Sequence, residues 1–157
     1  MTNDVEKVPE IRIRRFVPED QVEARTLILK GLEEHFGLID ETLNPDLDDI
    51  AGHYLDRGHA FFLALLGGEL VGTGALVREA PGIGRMARIT VDSARRRQGI
   101  AKLMVRHLKD WAQLHGCRRI LVETNHDWHE AITLYLGEGF EEVYKDDESI
   151  HMAFQWE

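Results

Sequence analysis

The segment RRRQGIAKLM, residues 95 to 104, places three consecutive arginines before a glycine that opens an apolar run at helical spacing. A helix start leaves four backbone N–H groups without partners and gathers partial positive charge there, which suits a phosphate. Gly99 lets the main chain approach such an anion closely, and Ala101 keeps the next turn narrow. The arginines add charge around that cradle; the rival reading is a solvated arginine turn that holds no ligand. Spacing alone leaves both open. Residues 85 to 106 carry Arg85, Arg88, Arg95, Arg96, Arg97, Lys102 and Arg106 against Asp92 alone, a local charge of +6. The whole chain is −9, so the remainder carries −15. A nucleic-acid binder would be basic over a whole face, whereas one basic patch on an acidic body suits a small anionic ligand.

Other patterns invite chemistry and mostly fail. His126-Asp127-Trp128-His129-Glu130 has neither the H-E-x-x-H nor the H-x-x-E-H spacing, and its histidine pair needs a third ligand. No metal is expected there, and the two histidines are placed at the border of a substrate entrance. Cys117 has no His-Asp partner pattern and reads as a small core residue. No G-x-x-x-x-G-K-S/T phosphate loop occurs. Gly82 to Ala87 fits G-x-G-x-x-A formally, but it leads into an Ile/Thr/Val-rich strand where a dinucleotide fold needs a helix. The acidic stretch EEHFGLIDETLNPDLDD, residues 33 to 49, is either a solvated connection or a wall that attracts a cationic acceptor.

These residues must be positioned by one ordinary domain, since 157 residues bury a real core without staples. A single cysteine rules out an internal disulfide and points to a reducing cytoplasm. The opening MTNDVEKVPE is polar, unlike a secretory signal, and residues 1–9 read as a flexible N-terminus. No apolar run approaches the ~20 residues that cross a bilayer. EIRIRRFV (10–17) reads as a strand, and Pro18-Glu19-Asp20 starts a helix whose apolar face runs through Val22, Leu27, Ile28 and Leu32 to Phe36. A short helix follows Asn44-Pro45 and carries Leu47, Ile50 and Leu55. FFLALL (61–66) and ELVGTGALV (69–77) form a hairpin about Gly67-Gly68, and RMARITV (85–91) is a third strand. Ile100, Leu103, Met104, Leu108, Trp111 and Leu114 then mark a helix that Gly116 stops, with Trp111 as core. RILVET (119–124), a helix through Ala131, Ile132, Leu134 and Tyr135, and two closing strands complete the order β-α-α-β-β-β-α-β-α-β-β. This predicts an α/β fold of α+β type with a mixed central sheet.

Arg96-Arg97-Gln98-Gly99-Ile100-Ala101 resembles the Arg/Gln-x-x-Gly-x-Gly/Ala acetyl-CoA signature of the GNAT superfamily of N-acetyltransferases. ITVD (89–92) is similar to that family's strand four, and AITLYLGEGF (131–140) to its A-I-x-L-Y-x-x-x-G-F segment. The resemblance implies acetyl-CoA lying where strands four and five splay apart. Its pyrophosphate would rest on main-chain N–H groups of Arg97 to Lys102, and Arg96, Arg97, Gln98, Gly99, Ile100, Ala101 and Lys102 are assigned to the cofactor. Pantetheine would pair with the strand edge at Ile89, Thr90 and Val91. The resemblance also puts the proton donor at Tyr135, whose neutral phenol (reference pKa ~10) would protonate a leaving thiolate.

Glu123 is the first choice as base, because a glutamate inside an apolar strand would have its pKa raised by desolvation. The competing readings are a carboxylate paired with an arginine such as Arg88, or a water chain as base. The family usually has Asn three residues before the alanine of its second motif; Trp128 stands there, and Asn125 nearby is the substitute cofactor contact. The implied activity is direct transfer of an acetyl group to a primary amine of a small molecule or peptide, and the resemblance is compatible with a homodimer. Two other readings are a catalytically weak acyl-CoA-binding or sensing domain of the same fold, and a regulator that binds a nucleotide other than CoA.

Overall fold

The computed structural model describes residues 10–38 and 40–156, the side chain of Glu41 excepted. The expected flexible N-terminus, residues 1–9, lies outside the described residues. The elements are β1 (Ile11–Arg15), α1 (Gln21–Phe36), α2 (Ile50–His53), β2 (Ala60–Leu66), β3 (Glu69–Ala80), β4 (Ile83–Val91), α3 (Ile100–Leu114), β5 (Arg119–Asn125), α4 (His129–Gly137), β6 (Glu141–Lys145) and β7 (Ser149–Gln155). One seven-stranded sheet runs in the order β1-β2-β3-β4-β5-β7-β6. The expected succession of elements is therefore present in a mixed sheet. Gly67 and Gly68 make the β2–β3 turn with φ of 59° and 83°, the left-handed pair that a tight hairpin demands. Among the described residues no helix is long and apolar enough to cross a membrane.

Strand alternation sorts the side chains into two cores. Phe62 and Ala64 of β2 face Ile100, Met104 and Leu108 of α3, with Tyr135 of α4 in the same cluster. Phe61 and Leu63 face Ala24, Ile28 and Leu29 of α1 together with Leu47, Ile50 and Tyr54. Two glycines let α3 sit close on β3. A Cβ on Gly74 would lie 2.5 Å from Met104 Cγ, and one on Gly72 would lie 3.2 Å from Ile100 Cγ2.

Helix faces depart from the periodicity reading. Val22 is 75% exposed and Leu27 only half-buried; besides the expected Ile28, α1 buries Ala24, Leu29 and Gly31. Small residues bring this helix onto the sheet, and a pattern built on large apolar side chains overlooks them. On α3, Leu103 and Leu114 are exposed, and Trp111 is half-buried rather than fully inside. The segment after α1 is a chain of 3-10 turns around the four residues of α2, because Asp49 caps Gly52 and Gly58 ends the run in a left-handed conformation.

A bulge in β4 matters most. Thr73 pairs with Thr90 and Ala75 with Ala87, so β4 spends three residues where β3 spends two. Arg88 takes up the extra length at φ 55°, a left-handed conformation uncommon for a side chain of its size. The buried Thr73 hydroxyl donates to its carbonyl at 2.7 Å. The Arg88 side chain binds Asp46 through Nε (3.0 Å) and Nη2 (2.6 Å), and Asn44 through Nη2 (3.0 Å). Tyr54 donates to the same carboxylate at 2.6 Å. Burial pushes the Asp46 carboxyl up, but the hydrogen bonds from Arg88 and Tyr54 outweigh it and hold the group below its ordinary value.

Two outcomes are expected. Gly74→Val drives two methyls into Met104 and should cost about 1–3 kcal/mol, read as a lower urea midpoint at unchanged slope. Asp46→Asn leaves Arg88 unpaired and should cost roughly 3 kcal/mol near neutrality. A depressed carboxyl stabilises above its unfolded value of about 3.9 and loses that contribution as pH falls through the lower folded value. The gap between wild type and Asp46→Asn should therefore close in acid, followed by denaturant titration from pH 7 to pH 3.

Candidate active site

β4 and β5 run parallel but pair only at Ile83–Arg119, Gly84–Ile120 and Arg85–Leu121. From Met86 onward β4 has no ladder partner on that side. The bulge at Arg88 turns it away, and α1 presses close above it, where a Cβ on Gly31 would lie 3.0 Å from Thr90 Cγ2. The parting opens a cleft of about 550 Å³, within the range of ligand sites. Ile89, Thr90 and Val91 form one wall; the first turns of α4 form the other.

One end of this cleft is the loop between β4 and α3. Asp92 accepts from the Ala94 N–H at 3.2 Å and starts a 3-10 turn, after which Arg97 (φ 65°) and Gly99 (φ 79°) both turn left-handed. No side chain caps the start of α3, so its first N–H groups stay available along a 15-residue helix. Arg95, Arg96, Arg97, Gly99, Ile100, Ala101 and Lys102 all line the cleft. The three arginines are not equivalent. Arg95 lies 3.6 Å from Glu69, and Arg96 is 3.1 Å from Glu34, a carboxylate that also accepts from Ser93. Among the described residues Arg97 and Lys102 have no ion-pair partner, so they hold the charge most available to an anion.

A second, smaller cleft of about 140 Å³ meets the first across Leu32, Ile89, Thr90, Trp128, Ala131 and Tyr135. Tyr135 is 5% exposed and lines both. Burial pushes its phenol well above the usual tyrosine value, so the group keeps its proton across the physiological range. Among the described residues nothing hydrogen-bonds its hydroxyl, and the hydroxyl is not sealed either, since the one fully enclosed side-chain polar atom without a partner is Trp111 Nε1, outside both clefts. A protonated, unpartnered donor thus stands where the two clefts join.

Glu123 lines the smaller cleft, but the desolvation expected of it is missing. Its side chain is 48% exposed, because its β5 position faces the sheet surface that α1 and α2 leave uncovered. Nor does it pair with Arg88, which Asp46 occupies. It lies 3.8 Å from His151 Nε2, which is 2.9 Å from Asp146 and stacks on Tyr144 at 4.0 Å. The His151 contact, with N–H groups of Ser149 and Glu148, holds the Asp146 carboxyl down at about 2. This Glu123–Asp146–His151 group, rather than His126 and His129, is where three metal-type ligands come together among the described residues.

Three further expectations change. Asn125 and Gln98 line neither cleft. Asn125 instead accepts from Asp127 N–H and, through its carbonyl, from Trp128 N–H, shaping the turn into α4. His126 is held on the Ser149 carbonyl at 2.9 Å, while His129 does border the large cleft. Of the acidic connection, Glu34, Asp46 and Asp48 serve in ion pairs within the chain. The cleft residues that sequence reasoning passed over are Gly31, Leu32, Glu130 and Thr133. A glycine in a helix interior costs stability, and Gly31 was a signal that a close approach is made there.

Residues 26–140 match the Acetyltransferase (GNAT) family. N-acetyltransferase 8B of Rattus norvegicus is 39% identical over 111 residues, which are 67% of this chain and 50% of that relative. The chain thus spans about half the length of the relatives it matches in this way. An acetyltransferase of the GNAT family from Staphylococcus aureus Mu50 superimposes with a TM-score of 0.86 at 23% identity, covering 93% of this chain and 99% of that one. The PaiA N-acetyltransferase of Thermoplasma acidophilum, crystallised in complex with coenzyme A, gives 0.82 at 14% identity over 94% and 99%. At such identities the structures speak for the fold. The matched stretch takes in the whole parting of β4 from β5, the arginine loop and α4, and the chain belongs to the GNAT acetyltransferase family.

Proposed function

We propose that the chain transfers an acetyl group from acetyl-CoA to a primary amine, directly within a ternary complex. The observation that carries this reading is the early end of the β4–β5 ladder, with uncapped α3 at one side and the free Tyr135 hydroxyl at the other. The residues present fit acetyl-CoA. The N–H groups at the start of α3, with Arg97 and Lys102, suit its phosphates, and the unpaired edge of β4 at Ile89 to Val91 suits the amides of its pantetheine arm. A fold neighbour crystallised with coenzyme A and relatives named as N-acetyltransferases support the same choice.

When bound, acetyl-CoA supplies the acyl group as a thioester, which an uncharged amine opens to an amide and a thiol. Tyr135 holds the proton that the departing sulfur takes. Glu123, or a water beside it at the rim, receives the proton that the amine loses. Burial of Tyr135 keeps the phenol charged with its proton even in mild alkali, so it imposes no loss of rate there. Cys117 takes no part as an acyl carrier: it lies outside both clefts, in the α3-side core, and burial pushes its thiol up.

Tyr135→Phe should lower kcat by about 10²–10⁴-fold while leaving the affinity for acetyl-CoA unchanged, measured by thiol release and by calorimetric titration. Unchanged kcat would remove Tyr135 from the chemistry. A wild-type chain that binds acetyl-CoA but releases no thiol with any amine would instead be a binding domain, and one stabilised by ATP but not acetyl-CoA would be a nucleotide regulator.

A further inference from the structure

The smaller cleft says more about the acceptor than that it is an amine. We propose that it admits a slender ω-amino alkyl arm, an unbranched –CH₂–CH₂–NH₂ end, and that Trp128 is the residue that sets this limit. The inference rests on the acetyl-transfer reading above and names the acceptor class for that site.

Its size is the first argument. At about 140 Å³ it holds far less than the neighbouring 550 Å³ cleft and falls below the usual volume of a site for a whole small molecule. Arg88, Thr90, Glu123, Thr124 and Tyr135 supply its polar walls, and Ile28, Leu32, Met86, Val122, Trp128 and Ala131 its apolar ones. A methylene chain fits such walls, and loss of hydration there favours the neutral amine that attacks a thioester.

Charge is the second argument. Arg88 lines this cleft, but Asp46 takes up its Nε and Nη2, with Asn44 on Nη2 as well, and the pair is close to neutral. Among the described residues no second cation lines this cleft to receive a carboxylate on the carbon that bears the nitrogen. At the rim stand Glu123, with its exposed side chain, and Asp146, linked through His151. This arrangement draws in an ammonium group and repels an acid.

The third argument is the firmness of the wall. Trp128 stacks on His35 with ring centroids 4.0 Å apart and planes at 11°, and meets Phe36 edge-on at 6.4 Å. It also sits at the N-cap of α4, with its N–H given to the Asn125 carbonyl at 3.1 Å. Ring contacts on one side and the start of a helix on the other keep the indole from swinging aside to admit a branch.

A free diamine and a lysine side chain on a peptide share this chemistry. Thiol release from acetyl-CoA is therefore measured on the full chain with 1,5-diaminopentane, Nα-acetyl-lysine amide, leucine and isopropylamine. The two linear amines, or one of them, should exceed leucine and isopropylamine in kcat/KM by at least about tenfold, the usual worth of a branch in a tight apolar pocket. Preference between the linear pair tells a free amine from a peptide. Trp128→Ala should shrink the discrimination to about twofold by raising the branched acceptors, and Trp128→Leu should act in the same direction if alanine impairs folding. Equal use of leucine or isopropylamine by the wild type overturns the inference and leaves acetyl transfer standing, as does a selectivity that neither Trp128 variant alters. Thiol release with no amine, while acetyl-CoA still raises Tm, overturns both.

Discussion

The extra residue in β4 is the constraint on which the molecule turns. A parallel pair of strands buried between helices would ordinarily continue its ladder to the end. Here the ladder stops after Arg85, and three residues farther on Arg88 adopts a left-handed conformation that few arginines take. Strain of this kind persists only where the surroundings over-determine it. They do so twice: the Thr73 hydroxyl fixes the carbonyl, and the Asp46, Asn44 and Tyr54 side chains fix the guanidinium and its carboxylate partner. The bulge frees a strand edge, and every surface that matters to a ligand borders that edge.

Charge is distributed with the same economy. An acidic chain gathers its densest run of basic residues on the strand and loop that border the large cleft, yet two of the three arginines in the loop are already held by Glu69 and Glu34. They stiffen the approach to α3 more than they wait for a ligand. Main-chain N–H groups, ordered by two left-handed residues, and the unpaired Arg97 and Lys102 are left to meet an anion. Arg88 is likewise spoken for. What reads along the sequence as a run of cations becomes, in space, a few free charges among many tied ones.

That difference explains what the sequence made legible. The succession of elements, both hairpin glycines, the arginine loop and the place of Tyr135 follow from short-range patterns: alternation, helical spacing, a glycine before an uncapped helix. The exposure of Val22 and of Glu123 does not, since the first depends on which face α1 turns to the sheet and the second on how much of the sheet the helices cover. The Arg88–Asp46 pair joins residues 42 apart, so no local rule finds it. Asn125, read as a ligand contact because it lies near the second motif, shapes the turn into α4, a role its position in the sequence does not announce. Trp128, marked only as a departure from the family pattern, turns out to border both clefts.

The three-rung ladder between β4 and β5 has one more consequence. It is all the sheet hydrogen bonding that joins β1–β4 to β5–β7, so the two groups of strands meet like covers at a short spine. Beyond that spine the two groups are joined by side-chain packing, since Phe62 and Met86 share one core with Ile120, Val122 and Met152.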